Sequence, residues 1–93
     1  LIMIDVKLIT TEGCEACKIQ DKILQRALPT AGKSAIIYTR LDCKDERVKE
    51  LVKKYNRPIH DFPTTIFFKD EELITYIEGT CTSKRITDII NSI

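Results

Sequence analysis

The sequence predicts an α/β fold: one mixed four-stranded sheet flanked by three helices, in the order β-α-β-α-β-β-α. Two observations carry this. The apolar pattern switches repeatedly between a period of two and a helical period along the chain. The 93 residues suffice for one hydrophobic core, so a single domain spanning residues 1–93 is expected, with no repeat, low-complexity stretch or linker.

Ile4, Val6 and Leu8 alternate with Asp5 and Lys7, and Ile9 follows, which predicts a first strand over about residues 2–10. Thr11-Glu12-Gly13 breaks it. From Cys14 onward Ala16, Ile19, Ile23 and Ala27 share one helical stripe, flanked by Cys17, Leu24 and Leu28. Pro29, with Gly32 close behind, ends that helix. Ala35 to Asp42 is rich in β-branched and aromatic residues and reads as the second strand. Val48, Leu51, Val52 and Tyr55 follow helical spacing, and Asn56 and Pro58 stop the second helix.

Thr64 to Phe68 is almost wholly apolar, as a strand buried on both faces would be. Lys69 to Glu72 is a short polar link, suited to a hairpin although it lacks the favoured Asn-Gly, and Leu73 to Ile77 returns as the fourth strand. After Gly79, the stripe Ile86, Ile89, Ile90 and Ile93 predicts a last helix, with Thr82 or Ser83 available to cap it. The first β-α-β unit is expected to be a right-handed parallel crossover, and the last two strands an antiparallel hairpin.

Composition narrows the function classes. Apolar residues make up 43% and charged residues 31%, with a formal net charge of +1, an ordinary globular balance without the basic excess that a nucleic-acid partner usually requires. The charges between Lys44 and Lys54 alternate in sign and read as a solvated helix face. No apolar run is long enough to span a bilayer, and Leu1 to Ile4 is too short for a signal-peptide core, so no membrane partner is expected. Four cysteines, two of them isolated, do not form the framework of a disulfide-stapled secreted domain, which points to a reducing compartment, the cytoplasm.

The chemistry lies in Cys14-Glu15-Ala16-Cys17, placed where a strand hands over to a helix. The first turn of a helix offers unpaired N–H groups and the positive end of the macrodipole, both favouring an anion. A cysteine there should have a lowered pKa and carry more thiolate. Residues three apart share a helix face, so one thiol can attack a substrate disulfide and the other resolve the mixed disulfide. Cys14, at the exposed end, is the expected nucleophile; Cys17, beside the apolar stripe, is the expected resolver. Glu12 and Glu15 oppose the thiolate and limit the pKa drop, which argues for a reductant over a strong oxidant.

Other readings of the motif are weaker. A zinc site needs two more ligands with their own spacing, and only Cys43, Cys81 and His60 remain, so no metal is expected. A purely structural disulfide closing so short a loop removes little chain entropy. No cofactor is expected. A non-catalytic module of the same fold, binding a protein partner or a metal ion, is the alternative.

At this point the chain resembles the thioredoxin family over nearly its whole length, without the extra N-terminal strand and helix of thioredoxins proper. Cys14-Glu15-Ala16-Cys17-Lys18 is similar to the family's redox motif, Phe62-Pro63-Thr64 to its cis-proline tripeptide, Phe67 to Leu73 to its hairpin, and Gly79 with Ser83-Lys84 to the lead into its last helix. The resemblance implies that Pro63 is cis and lies against the cysteine pair. It implies that Phe62, Pro63 and Thr64 border the substrate, with Phe62 presenting backbone groups, and that Gly79 and Thr80 form another wall of the groove. The implied partners are disulfide-containing proteins and an upstream reductase or glutathione, met by a monomer.

The chain departs from the family in three places. Gly13 stands where thioredoxins carry tryptophan, Leu8 stands where they carry a buried acid, and a glutaredoxin-like pair of glycines before the last helix is replaced by Gly79-Thr80-Cys81-Thr82. Of the isolated residues, Cys43 is favoured as a small packing side chain, as is Cys81, although its place near the groove and a helix start also suits an accessory thiol. His60 reads as a loop residue, one that would tune nearby thiols if it sits in the site.

Overall fold

The computed structural model describes residues 2–32 and 35–93; Leu1, the first residue of the apolar N-terminal run, and the residue pair before Ala35 lie outside them. The elements run β1 (Ile4–Thr10), α1 (Glu15–Ala27), a 3₁₀ turn (Leu28–Ala31), β2 (Ile36–Asp42), α2 (Glu46–Tyr55), β3 (Thr64–Lys69), β4 (Glu72–Glu78) and α3 (Ser83–Ser92). The strands form one sheet in the order β2-β1-β3-β4. β1 pairs parallel with β2, Ile4 opposite Ile36, and antiparallel with β3, Ile9 opposite Thr64. β3 and β4 form the antiparallel hairpin, with a register shift between Phe67 and Phe68.

Strand alternation divides the core into two layers. Ile4, Val6, Leu8, Phe67 and Ile77 pack on one face against Leu24 and Ala27 of α1 and Ile86 and Ile90 of α3. Ile9, Leu41, Ile66 and Phe68 pack on the other against Val48, Leu51 and Tyr55 of α2. Residues Thr64 to Phe68 are therefore covered on both sides, the reason their sequence is almost wholly apolar.

The helix ends follow local chemistry. Asp45 caps α2 by accepting from the Arg47 N–H at 2.9 Å, and hydrogen bonds from the Arg47 guanidinium, aided by that N–H, lower its pKa to about 2. Asn56 closes the helix in a left-handed conformation, φ 60°. Thr82, of the two candidates, caps α3 by accepting from the Arg85 N–H at 3.2 Å. The alternating charges of α2 form exposed pairs such as Glu46–Lys49 and Glu50–Lys53, which contribute little to stability.

The buried line of α1 corrects the expected stripe. Cys17, Gln20, Leu24 and Ala27 face the core, whereas Ile19 is 57% exposed and Ile23 only half-buried. The physical reason is Gln20, whose side chain is fully buried because both its amide groups have partners on the segment before α3.

The hairpin turns without glycine. Asp70 and Glu71 both have positive φ, 48° and 71°. Two hydrogen bonds to Met3 hold Asp70: its N–H donates to the Met3 carbonyl at 2.8 Å, and its carboxylate accepts from the Met3 N–H at 2.9 Å. A left-handed conformation costs an L-residue about 1–2 kcal/mol, against which glycine's greater freedom when unfolded offsets about 0.5–1 kcal/mol. Glu71→Gly is therefore expected to raise the unfolding free energy by about 0.5–1 kcal/mol in a denaturant titration. A loss of stability would show that the Glu71 side chain, not its backbone, matters to the turn.

Candidate active site

The turn Thr11 to Gly13 leads from β1 into α1, and Gly13 adopts φ 73°. A Cβ built there would meet nothing within 4 Å, so the conformation and not crowding favours glycine, and a tryptophan at this position would be strained. Cys14 follows as the N-cap of α1, and its Sγ accepts from the Cys17 N–H at 3.0 Å. The sulfur thus occupies the place that a serine or aspartate oxygen usually takes at a helix start. Cys14 and Cys17 are joined in a disulfide with their Cα atoms 5.2 Å apart. Cys14 is half-buried and Cys17 has no exposed surface, so only one of the two sulfurs can be approached from outside.

The sheet register gathers the other site candidates at the same end of the molecule. Ile9 near the end of β1 lies opposite Thr64 at the start of β3, and Thr64 lies opposite Glu78 at the end of β4. The Phe62–Pro63 bond is cis, and Pro63 is buried. Its carbonyl accepts from the Gly79 N–H at 2.8 Å, joining the two segments. The Thr64 hydroxyl donates to the Asp61 carbonyl, closing the loop before β3. Phe62 is half-buried and Thr80 exposed.

Three contacts that sequence reasoning missed hold these pieces. Gln20, one turn after Cys17, accepts from the Cys81 N–H at 2.8 Å and donates to the Cys81 Sγ at 3.4 Å, which fastens the Gly79–Thr82 segment to the helix that carries the thiols. The Tyr55 hydroxyl donates to Glu78 at 2.9 Å, and Arg57 pairs with Glu78 at 3.3 Å while lying over the Tyr76 ring at 5.0 Å. Arg57 also donates to the Tyr76 hydroxyl. This cluster ties the residues after α2 to the end of β4; burial and the Glu78 carboxylate push the Tyr55 phenol well up. Finally, Asp21 of α1 accepts from Tyr38 at 2.6 Å and pairs with Arg40 at 3.0 Å on β2. Partial burial opposes ionisation of Asp21, but the hydrogen bonds from Tyr38, Gln25 and Arg40 outweigh it and hold the carboxyl below its usual range.

Beside Cys14 lies a hollow of about 370 Å³ whose walls include Thr11, Glu12, Lys18, Arg40 and Asp42, two cations facing two anions. Lys18 also pairs with Glu15 at 3.1 Å, which offsets one of the two negative charges near Cys14. A larger hollow of about 500 Å³, lined by Met3, Ile37, Leu51 and Phe68 among others, lies at the opposite end of β1 and contains no thiol.

Cys81 is buried in the layer under α1 and α3, and burial pushes its thiol pKa up, with Arg85 and Gln20 acting weakly in the other direction. Cys43 is half-buried against the α2 layer, with its Sγ 3.6 Å from the Thr11 hydroxyl. His60 is exposed in its loop. Among the described residues no three His, Cys, Asp or Glu side chains converge as a metal site, and no helix is long and apolar enough to cross a membrane.

A parallel–antiparallel sheet of this order, with a disulfide at the start of the first helix and a cis-proline opening β3, defines the thioredoxin fold. Solved structures agree. A malaria-parasite thioredoxin-2, described as a component of that parasite's protein secretion machinery, superposes with a TM-score of 0.79 at 18% identity, covering 99% of this chain and 84% of its own. Thioredoxin O2 from Arabidopsis thaliana, in its oxidised state, gives 0.75 at 16% identity over 98% of this chain and 75% of that one. Reduced Schistosoma mansoni thioredoxin gives 0.74 at 22% identity over 97% and 78%. No family model and no curated protein sequence matches the chain.

Gln20→Leu is expected to lower the unfolding free energy by about 2 kcal/mol in urea, because the buried Cys81 N–H loses its acceptor. Stability equal to the parent's would remove Gln20 from this account.

Proposed function

We propose that the protein is a thiol–disulfide oxidoreductase that reduces disulfides in protein substrates. One observation carries the reading: Cys14 and Cys17 form a disulfide at the head of α1, with the approachable sulfur capped by a helix N–H and its partner fully buried. In the reduced protein the same N–H and the helix dipole favour the Cys14 thiolate. That thiolate attacks a substrate disulfide, one substrate sulfur leaves and takes up a proton, and Cys17 then attacks Cys14 to release the second substrate thiol. An upstream dithiol reductase or glutathione returns two electrons and two protons to the Cys14–Cys17 disulfide.

Phe62, Pro63, Thr64, Gly79 and Thr80 form the substrate groove in this reading. The hydrogen bond between Gly79 and Pro63 supports it, since it fastens two segments at the end of the sheet where β1 passes into the cysteine motif. A working monomer belongs to the same reading. Two unpaired cysteines, Cys43 and Cys81, support residence in a reducing compartment such as the cytoplasm. The acidic neighbours Glu12 and Glu15 restrain thiolate stabilisation and support a reducing role.

Turbidimetric reduction of insulin, with dithiothreitol as the electron source, tests the proposal. The parent is expected to accelerate precipitation, Cys14→Ser to fall to the rate of dithiothreitol alone, and Cys17→Ser to accumulate stable mixed disulfides with substrate. Full activity in Cys14→Ser would rule the mechanism out.

A further inference from the structure

Thr65 has no exposed surface, and its Oγ1 has no hydrogen-bond partner among the described residues. The other such buried oxygen among the described residues, Asp5 Oδ1, at least lies 3.1 Å from the Lys7 ammonium. A buried hydroxyl without a partner is uncommon and calls for an explanation.

Its position supplies one. Thr65 lies directly opposite Leu8 of β1 and Ile77 of β4. Leu8, Ile77 and Phe67 all belong to the layer beneath α1 and α3, and strand alternation puts Thr65 on the Phe67 face. After the short turn, α1 runs back over β1. Leu24 and Ala27 pack into the layer that contains Ile4, Val6 and Leu8. Cys17 extends the same buried line of α1 towards the helix start, hence towards the Leu8–Thr65 end of the sheet. Leu8 brings no polar group to this end, and Gln20 is already engaged by Cys81.

Resting on the redox reading above, we infer that the Thr65 hydroxyl is the hydrogen-bond partner of reduced Cys17. In the disulfide, the bond to Cys14 holds the Cys17 sulfur, which carries no proton, out of hydrogen-bonding geometry with Thr65, so the hydroxyl goes unpaired until reduction frees the Cys17 side chain to turn. Reduction creates a thiol that donates to Thr65 Oγ1. When Cys17 loses its proton to solvent and attacks Cys14, the hydroxyl reverses direction and donates to the thiolate. The bond from Cys14 to the substrate sulfur breaks as the Cys14–Cys17 bond forms, and the departing substrate thiolate is protonated from solvent. Thr65 thus favours the dithiol over the disulfide, the sign a reductant does not need and a more oxidising partner does; with Glu12 and Glu15 acting oppositely, it moderates the potential of the pair.

The test equilibrates the parent, Thr65→Val and Thr65→Ser with defined mixtures of glutathione and its disulfide, and measures the oxidised fraction by thiol alkylation and mass spectrometry. Valine keeps the shape and removes the hydroxyl; serine keeps the hydroxyl. Thr65→Val is expected to shift the equilibrium about tenfold towards the disulfide, about 30 mV for a two-electron couple, with Thr65→Ser within about twofold of the parent. A valine variant within about twofold of a redox-active parent, or a serine variant shifted as far as valine, would overturn the role of Thr65 alone. A parent that never forms the Cys14–Cys17 disulfide at any ratio would overturn both this inference and the redox reading.

Discussion

The hydrogen bond from the Cys17 N–H to the Cys14 sulfur is the contact around which the rest of the molecule is organised. It makes one cysteine both a structural cap and a chemical group. A helix start leaves several N–H groups without partners, and here the one on the third helical residue, Cys17, is met by sulfur rather than oxygen. The same donor that steadies α1 in the disulfide state is in place for a sulfur anion once the bond is reduced. Because Cys17 lies on the buried line of α1, its sulfur can be reached only through Cys14, and the proposed division into attacking and resolving thiols rests on this asymmetry.

Precise placement of a helix start requires that everything around it be fixed, and the structure meets this from three directions. Asp21 anchors α1 to β2 through Tyr38 and Arg40. Gln20 anchors α1 to the segment leading into α3. Tyr55, Arg57 and Glu78 anchor the residues after α2 to the end of β4, next to Gly79. The hydrogen bond between Gly79 and Pro63 then links the last two of these. The core layers supply the bulk of the stability, while these polar contacts decide how the Phe62–Thr64 and Gly79–Thr80 segments stand relative to Cys14 and Cys17. The Gln20–Cys81 pair is buried and the Tyr38–Asp21 and Tyr55–Glu78 pairs are half-buried, which is where hydrogen bonds specify position most strongly, while Arg40 and Arg57 reach in from the exposed surface.

Much of this was legible in the sequence, for reasons that differ by element. β1 and α2 announced themselves because their burial is periodic, and β3 because it is almost wholly apolar, being covered on both faces. The Cys14–Cys17 motif was legible because its chemistry is local: spacing and helix start suffice. The buried face of α1 was misread by about one position because Gln20 looks like a surface residue, and its partner Cys81 is 61 residues away. The Asp70-Glu71 turn carries no glycine signal because Met3, at the other end of β1, stabilises it. The Tyr55–Arg57–Glu78 cluster and the isolated Thr65 hydroxyl depend on strand register, which residue spacing does not reveal. A place beside the cysteine pair for Pro63 and Gly79 was implied only by the family resemblance.

The central claim is that the head of α1 stabilises a sulfur anion on Cys14, and titration of the reduced protein measures that most directly. The ultraviolet absorbance of thiolate, or the rate of alkylation at Cys14, is followed against pH in the Cys17→Ser background with the other cysteines accounted for. The account predicts a midpoint clearly below the value of about 8.5 for a free cysteine. A midpoint at or above that value would contradict it.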